Sequence, residues 1–167
     1  MAWLLQALNP INNGVKMVEI FESGDKLSDQ TIKLFESFLE INLPKSYKSF
    51  LKSSNGGYPE LNCFNFFGED SGSSIHYFYG INADPDYDIV KDLKVYKDRV
   101  PSDCLPIAYD EGGNLICLIL KGSEREKIYF WDHEFEKGDG EEPDFSNMTL
   151  IANNFDEFIN SLYELEI

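Results

Sequence analysis

Two apolar, β-prone runs, 105–109 and 115–120, flank Asp110-Glu111-Gly112-Gly113-Asn114, and no other feature of the chain restricts its fold so tightly. A glycine-bearing turn between such runs predicts a β-hairpin, because glycine reaches the positive φ that tight hairpin turns demand. A third β-prone run, 127–131, follows Gly122. Three strands at this spacing predict an antiparallel meander. Two further aromatic-rich runs, 61–67 and 74–80, read as strands, the second alternating Ile75, Tyr77 and Tyr79 against His76 and Phe78. A short strand is expected over 15–21.

Helices are expected on either side of these strands. Ser28 caps a helix from Asp29, with Ile32, Phe35, Phe38 and Leu39 as its apolar face. Pro44 fits the first position of a second helix, since its missing N–H would be unbonded there. Tyr47, Phe50 and Leu51 form that helix's buried stripe, with Lys45, Lys48 and Lys52 on the other side. Asn55-Gly56-Gly57 stops it, glycine taking the left-handed conformation at the terminus. Asp84-Pro85-Asp86 turns into a short helix carrying Ile89, Val90 and Leu93, closed by Pro101. Asn154 and Glu157 resemble a capping box, and Phe155, Phe158, Ile159 and Leu162 recur on one face. The expectation is a single α+β domain over 1–167, with N-terminal helices, a central mostly antiparallel or mixed sheet and a C-terminal helix.

Composition narrows the function. The chain has 167 residues, 43% of them apolar, including 13 Phe and 9 Tyr, which excludes a mainly disordered protein. Its net charge is −16, and residues 61–167 carry −15 of it. Such a surface repels nucleic acid and anionic lipid, so neither a nucleic-acid nor a membrane partner is expected. The densest acidic stretch, 132–144, sets seven acids against Lys137 and reads as a long loop over 134–147. Candidate contacts for a basic protein lie in three loops. Glu69 and Asp70 form one group and Asp84, Asp86 and Asp88 the second. Asp132, Glu134, Glu136, Asp139, Glu141, Glu142 and Asp144 form the third. An equally good reading makes these charges a solvated surface.

No catalytic set is visible. There is no G-x-S-x-G elbow, and Gly112-Gly113 sits beside Asp110 and Glu111, which repel phosphate. Trp131-Asp132-His133-Glu134 is the one cluster with metal-ligand chemistry, but strand alternation turns His133 away from Asp132 and Glu134. No metal, no cofactor and no enzymatic activity are expected. Cys63, Cys104 and Cys117 form no C-x-x-C pair and are odd in number, which points to reduced thiols. The apolar run 1–8 is too short to span a bilayer and lacks a basic flank, so a cytoplasmic location is expected.

Four segments in order carry a resemblance to a known family. The first is Leu43-Pro44-Lys45-Ser46-Tyr47-Lys48-Ser49-Phe50-Leu51 leading to Asn55-Gly56-Gly57-Tyr58-Pro59. The second is Leu105-Pro106-Ile107-Ala108 with Asp110-Glu111-Gly112-Gly113-Asn114, and the third is Ile128-Tyr129-Phe130-Trp131-Asp132-His133-Glu134. The fourth is Ile151-Ala152 with Phe155-Asp156-Glu157-Phe158. The chain resembles the SUKH superfamily (Smi/Knr-type domains) over about 28–165, leaving 1–26 as an N-terminal extension. The resemblance implies an α+β fold in which Pro44, Tyr47, Gly56, Gly57, Pro106, Gly112, Gly113 and Trp131 maintain structure. It also implies a cytoplasmic immunity protein that binds and neutralises a cognate toxin, such as a basic nuclease domain. The alternative it offers is a regulatory or scaffold module that recognises other proteins.

Overall fold

The computed structural model describes residues 18–165. The helix α1 (Asp29–Leu39) begins where Ser28 accepts the Thr31 N–H at 3.1 Å. Ile32 and Phe35 are buried, but Phe38 is 58% exposed and only stacks on the edge of Phe35, so it leaves the expected apolar face. The next helix, α2 (Lys45–Ser54), starts one residue later than expected, with Pro44 at its cap. Tyr47 and Leu51 are fully buried, and Phe50 packs between Phe78 and Phe155.

Asn55, not a glycine, is the first left-handed residue after α2, at φ 35°. Asparagine tolerates that region because its short amide bonds locally. Its Nδ2 donates to the Asp25 and Ile81 carbonyls at 3.0 Å, and its Oδ1 accepts the Ile81 N–H at 2.8 Å. Gly56 follows at φ 78°, where a Cβ would stand 2.8 Å from the Gly80 nitrogen and the Phe78 oxygen. That close approach lets Gly57 bridge Phe78 in antiparallel fashion.

The strands β1 (Ile20–Phe21) and β2 (Tyr58–Pro59) form an antiparallel pair. Residues 15–17 of the expected first strand lie outside the described residues. The run expected as one strand over 61–67 is a three-residue strand, β3 (Cys63–Asn65), in a hairpin with β4 (Gly72–Ser74). The run 74–80 contributes only β5 (Tyr77–Phe78). Its expected alternation fails because the chain changes partner there. Ile75 bonds back to Asn62 while His76 bonds to Tyr109, which leaves Ile75, Phe78 and Tyr79 buried. The third helix, α3 (Ile89–Val95), is capped by Asp88 and ends at Tyr96, ahead of Pro101.

The expected meander is present and larger than the three strands read from sequence. In the main sheet β5, β6 (Cys104–Tyr109), β7 (Leu115–Ile119), β8 (Ile128–Trp131) and β9 (Met148–Ala152) lie in chain order, all antiparallel. Within the 110–114 turn, Gly113 holds φ 87°. Asp110 accepts the Asn114 N–H at 2.8 Å and its amide at 2.9 Å, closing the loop on itself. Pro106 sits where the β6–β7 register shifts, consistent with a residue that cannot donate to a ladder. The last helix, α4 (Phe155–Ser161), has half a capping box: Asn154 accepts the Glu157 N–H at 2.8 Å, while the Glu157 carboxylate turns to Asn153.

One face of the sheet carries Phe78 and Phe130, covered by Phe50, Phe64 and Phe158 from α2, β3 and α4. On the opposite face α3 covers the middle strands, where Tyr96 meets Trp131 edge-on at 5.8 Å. The Arg99 guanidinium lies 4.8 Å from the Tyr96 ring and 5.5 Å from the Trp131 ring. The result is an α+β domain with a C-terminal helix, as expected.

Candidate protein-binding surface

The three acidic groups sit in loops around the sheet, but local bonds already occupy part of each. In the β3–β4 turn Glu69 accepts the Ser71 hydroxyl at 2.7 Å, beside exposed Asp70. Between β5 and α3, Asp84 accepts the Asp86 N–H at 3.0 Å, and Asp88 caps α3 through the Val90 and Lys91 N–H groups.

Residues 134–147 are more structured than a free loop. The chain leaves β8 at Trp131 and winds into a 3₁₀ turn, His133–Phe135, which Asp132 caps through the Glu134 N–H at 2.9 Å. Period-two alternation therefore does not apply to Asp132, His133 and Glu134. His133 instead meets Asn114 of the hairpin turn through its N–H and its Nδ1. Glu136 forms a bidentate pair with Arg99 at 2.7 and 2.9 Å, and those hydrogen bonds hold its carboxyl below the usual range. Asp144 is held at about 2 by the Ser146 hydroxyl and N–H, with Lys137 3.2 Å away. Glu141 accepts the Gly138 N–H at 3.3 Å. Glu134, Asp139 and Glu142 are exposed and carry no side-chain bond among the described residues. A second 3₁₀ turn, Phe145–Asn147, leads into β9.

The motif residues lie apart from these charges. Tyr47 and Trp131 are fully buried, and Pro106, Gly56 and Gly57 are buried too. Pro44 starts α2, and Gly112 and Gly113 form the exposed hairpin tip. Neither the Tyr47 hydroxyl nor the Trp131 Nε1 makes a hydrogen bond among the described residues. Cys104 and Cys117 are buried free thiols, and burial pushes the Cys117 thiol up. Among the described residues no group of three or more His, Cys, Asp or Glu side chains is placed to hold a metal ion. No helix among them is long and apolar enough to cross a membrane.

One set of surface residues was not read from the sequence. Phe21, Tyr58, Tyr77 and Tyr109 stand next to one another across four strands, with Tyr87 stacked on Tyr77 at 5.2 Å. Each is separated in sequence from its neighbours, and only the strand register brings them together. The row presents part of its aromatic area to solvent, with Phe21 and Tyr58 its most exposed members.

This fold of helices around an antiparallel sheet, with its hairpin-tip and helix-stop glycines, has a counterpart among known proteins. Residues 26–161 match the SMI1 / KNR4 family (SUKH-1), and the chain belongs to that family. It is similar to the SPbeta prophage-derived uncharacterized protein YokK of Bacillus subtilis (strain 168), with 32% identity over 154 residues. That match spans 82% of this chain and 75% of the relative.

Proposed function

We propose that this protein is a cytoplasmic immunity-type module that binds a basic toxin domain and neutralises it by covering its working surface. The observation that carries the reading is the charge: −16 in all, with −15 of it in the part that builds the main sheet and its loops. A nuclease domain has to gather cations around a phosphate backbone, so an acidic inhibitor enters the same electric field. Membership of a SUKH family and similarity to a prophage-derived relative accord with a neutraliser carried on mobile DNA. The module acts by binding, with no catalytic step of its own.

The test is co-expression with the product of the adjacent gene. Protection of growth and a stable complex on size-exclusion chromatography are the expected results. Absence of both, with binding to host signalling proteins instead, would favour a regulatory module. The acids should act mainly on encounter, since steering lifts association toward ~10⁸–10⁹ M⁻¹s⁻¹ at low salt. Replacing Asp139, Glu141, Glu142 and Asp144 by Asn or Gln should slow stopped-flow association and flatten its salt dependence. Equal rates at every salt concentration would make that segment a bystander.

A further inference from the structure

The main sheet is covered unequally. On the face that α3 occupies, Tyr109 lies opposite Leu115, Leu115 opposite Trp131 and Trp131 opposite Met148. That end is closed by Tyr96 and Arg99. The cover begins at Tyr79, whose hydroxyl bonds Asp92 of α3. The same row continues the other way, with no helix over it among the described residues. Tyr109 is opposite Tyr77, the Gly57–Phe78 bridge sets Tyr58 opposite Tyr77, and Tyr58 is opposite Phe21. Ring centroids are 6.3 Å apart between Tyr109 and Tyr77, and 6.1 Å between Tyr77 and Tyr58. Phe21 is 43% exposed and Tyr58 38%.

Carboxylates surround this row. The Tyr77 hydroxyl donates to Glu22, which pushes its pKa up to about 12. After burial, the charges of Asp84, Glu22 and Asp86 raise Tyr87 further, and Asp86 does the same at Tyr109. At the near edge Glu111, 80% exposed, sits 3.6 Å from His76, whose ring touches Tyr77 and Tyr109. Lys91 lies on the helix side of the same loop but is turned to the Pro85 carbonyl at 2.8 Å.

We infer that this aromatic row is the docking surface for the basic partner, taking an arginine side chain against Tyr58 and Tyr87, whose rings flank Tyr77, with Glu22, Asp84 and Glu111 around it. Charge complementarity selects the occupant. A guanidinium stacks on ring faces and donates to carboxylates at its edge, which a neutral or anionic group does not do. Tyrosine and arginine are also the side chains that concentrate binding energy in protein interfaces. The surface thus adds a place of contact to the proposed toxin-binding role and rests on that reading for its biological partner. The β8–β9 segment contributes long-range attraction only.

The test does not need the toxin. An acetylated peptide of alternating arginine and glycine is titrated into ¹⁵N-labelled protein, alongside the same peptide with citrulline replacing arginine. Saturable amide shifts around residues 20–22, 58, 76–79, 84–87 and 109–111 are expected with arginine and not with citrulline. Tyr58→Ala and Tyr87→Ala should each weaken binding about two- to fivefold, as expected for losing one exposed cation–π contact. Glu111→Gln, at an exposed site, does so without risk to the fold, and unchanged melting temperatures confirm intact variants. Shifts confined to 132–144, an equal response to citrulline, or variants that bind like the parent would overturn the inference. If the peptide finds the row but co-expression gives no protection, the docking surface stands and the toxin reading falls. If co-expression protects and the tyrosine variants protect equally, the reverse holds.

Discussion

Asn55 ties together three segments distant in sequence with one side chain. It is 1% exposed and bonds Asp25 and Ile81 while adopting the left-handed conformation that ends α2. Alanine there would leave the Ile81 N–H and two carbonyls without their partner. At roughly 1 kcal/mol for each of the three lost bonds, with the burial penalty of the orphans on top, Asn55→Ala should cost at least about 3 kcal/mol. Thermal or urea unfolding measures it directly. Tyr47 makes the opposite case. Its hydroxyl is buried without a hydrogen bond among the described residues, and burial raises its pKa. Tyr47→Phe removes that group and keeps the ring's contacts with Phe50 and Phe155. It should be neutral or stabilising by up to about 1 kcal/mol, although the residue lies in the family signature. A loss beyond about 2 kcal/mol would show that the hydroxyl has a partner in solution.

Single elements respond to backbone geometry and to pH. At Gly113, φ 87° is the constraint, because a Cβ there would have open space except for His133 at 4.0 Å. Gly113→Val therefore costs left-handed strain, about 1–2 kcal/mol, while Gly113→Asn costs less. Calorimetry on the pair separates strain from crowding. The Arg99–Glu136 pair fixes the segment after β8 against the turn that follows α3. Glu136 is held below its ordinary 4.5 in the folded state, so the pair's contribution is complete above that value. It fades as pH falls through the folded pKa. Asp144 behaves alike, from 3.8 toward about 2. Stability should accordingly drop between about pH 4.5 and 2, and Glu136→Gln should flatten the upper part of that fall. Guanidinium melts at a series of pH values test it, and an unchanged slope would mean the pair is too solvent-screened to matter. These elements also show what was legible beforehand. The hairpin, the Ser28 and Asn154 N-caps and the stop at 55–57 were legible because each signal is confined to a few neighbouring residues, although Asn55 rather than a glycine takes the first left-handed position. β9 was missed because Met148–Ala152 is a short run without clear alternation, read as part of the connection between the acidic segment and α4.

At the scale of the whole molecule, the acidic loops were visible as charge, but their division into capping, paired and open carboxylates was not. Asp132 and Asp88, read from the sequence as candidate contacts, each also cap a turn or a helix, which charge alone did not reveal. The tyrosine row was invisible for a different reason: its members occupy β1, β2, β5 and β6, and nothing local says that these strands align. The order of the main sheet has a further consequence, for the time course of folding. Strands β5 to β9 lie side by side in the order in which they are synthesised. The β6–β7 and β7–β8 pairings close the shortest connections, 110–114 and 120–127, so little chain entropy opposes them, and this central hairpin is the natural site of the folding nucleus. The clasp around Asn55 joins Asp25 to the Ile81 segment just past β5, across a wider stretch of chain than the hairpin spans, so it is expected to form later. Substitutions at the two places should therefore separate in a chevron plot. Gly113→Val should slow refolding with little change in unfolding, whereas Asn55→Ala should chiefly accelerate unfolding. The described part of the chain up to β2 then acts as a late latch that sets how long the protein stays folded, and Phe21 and Tyr58 join Tyr77 and Tyr109 only when that latch closes.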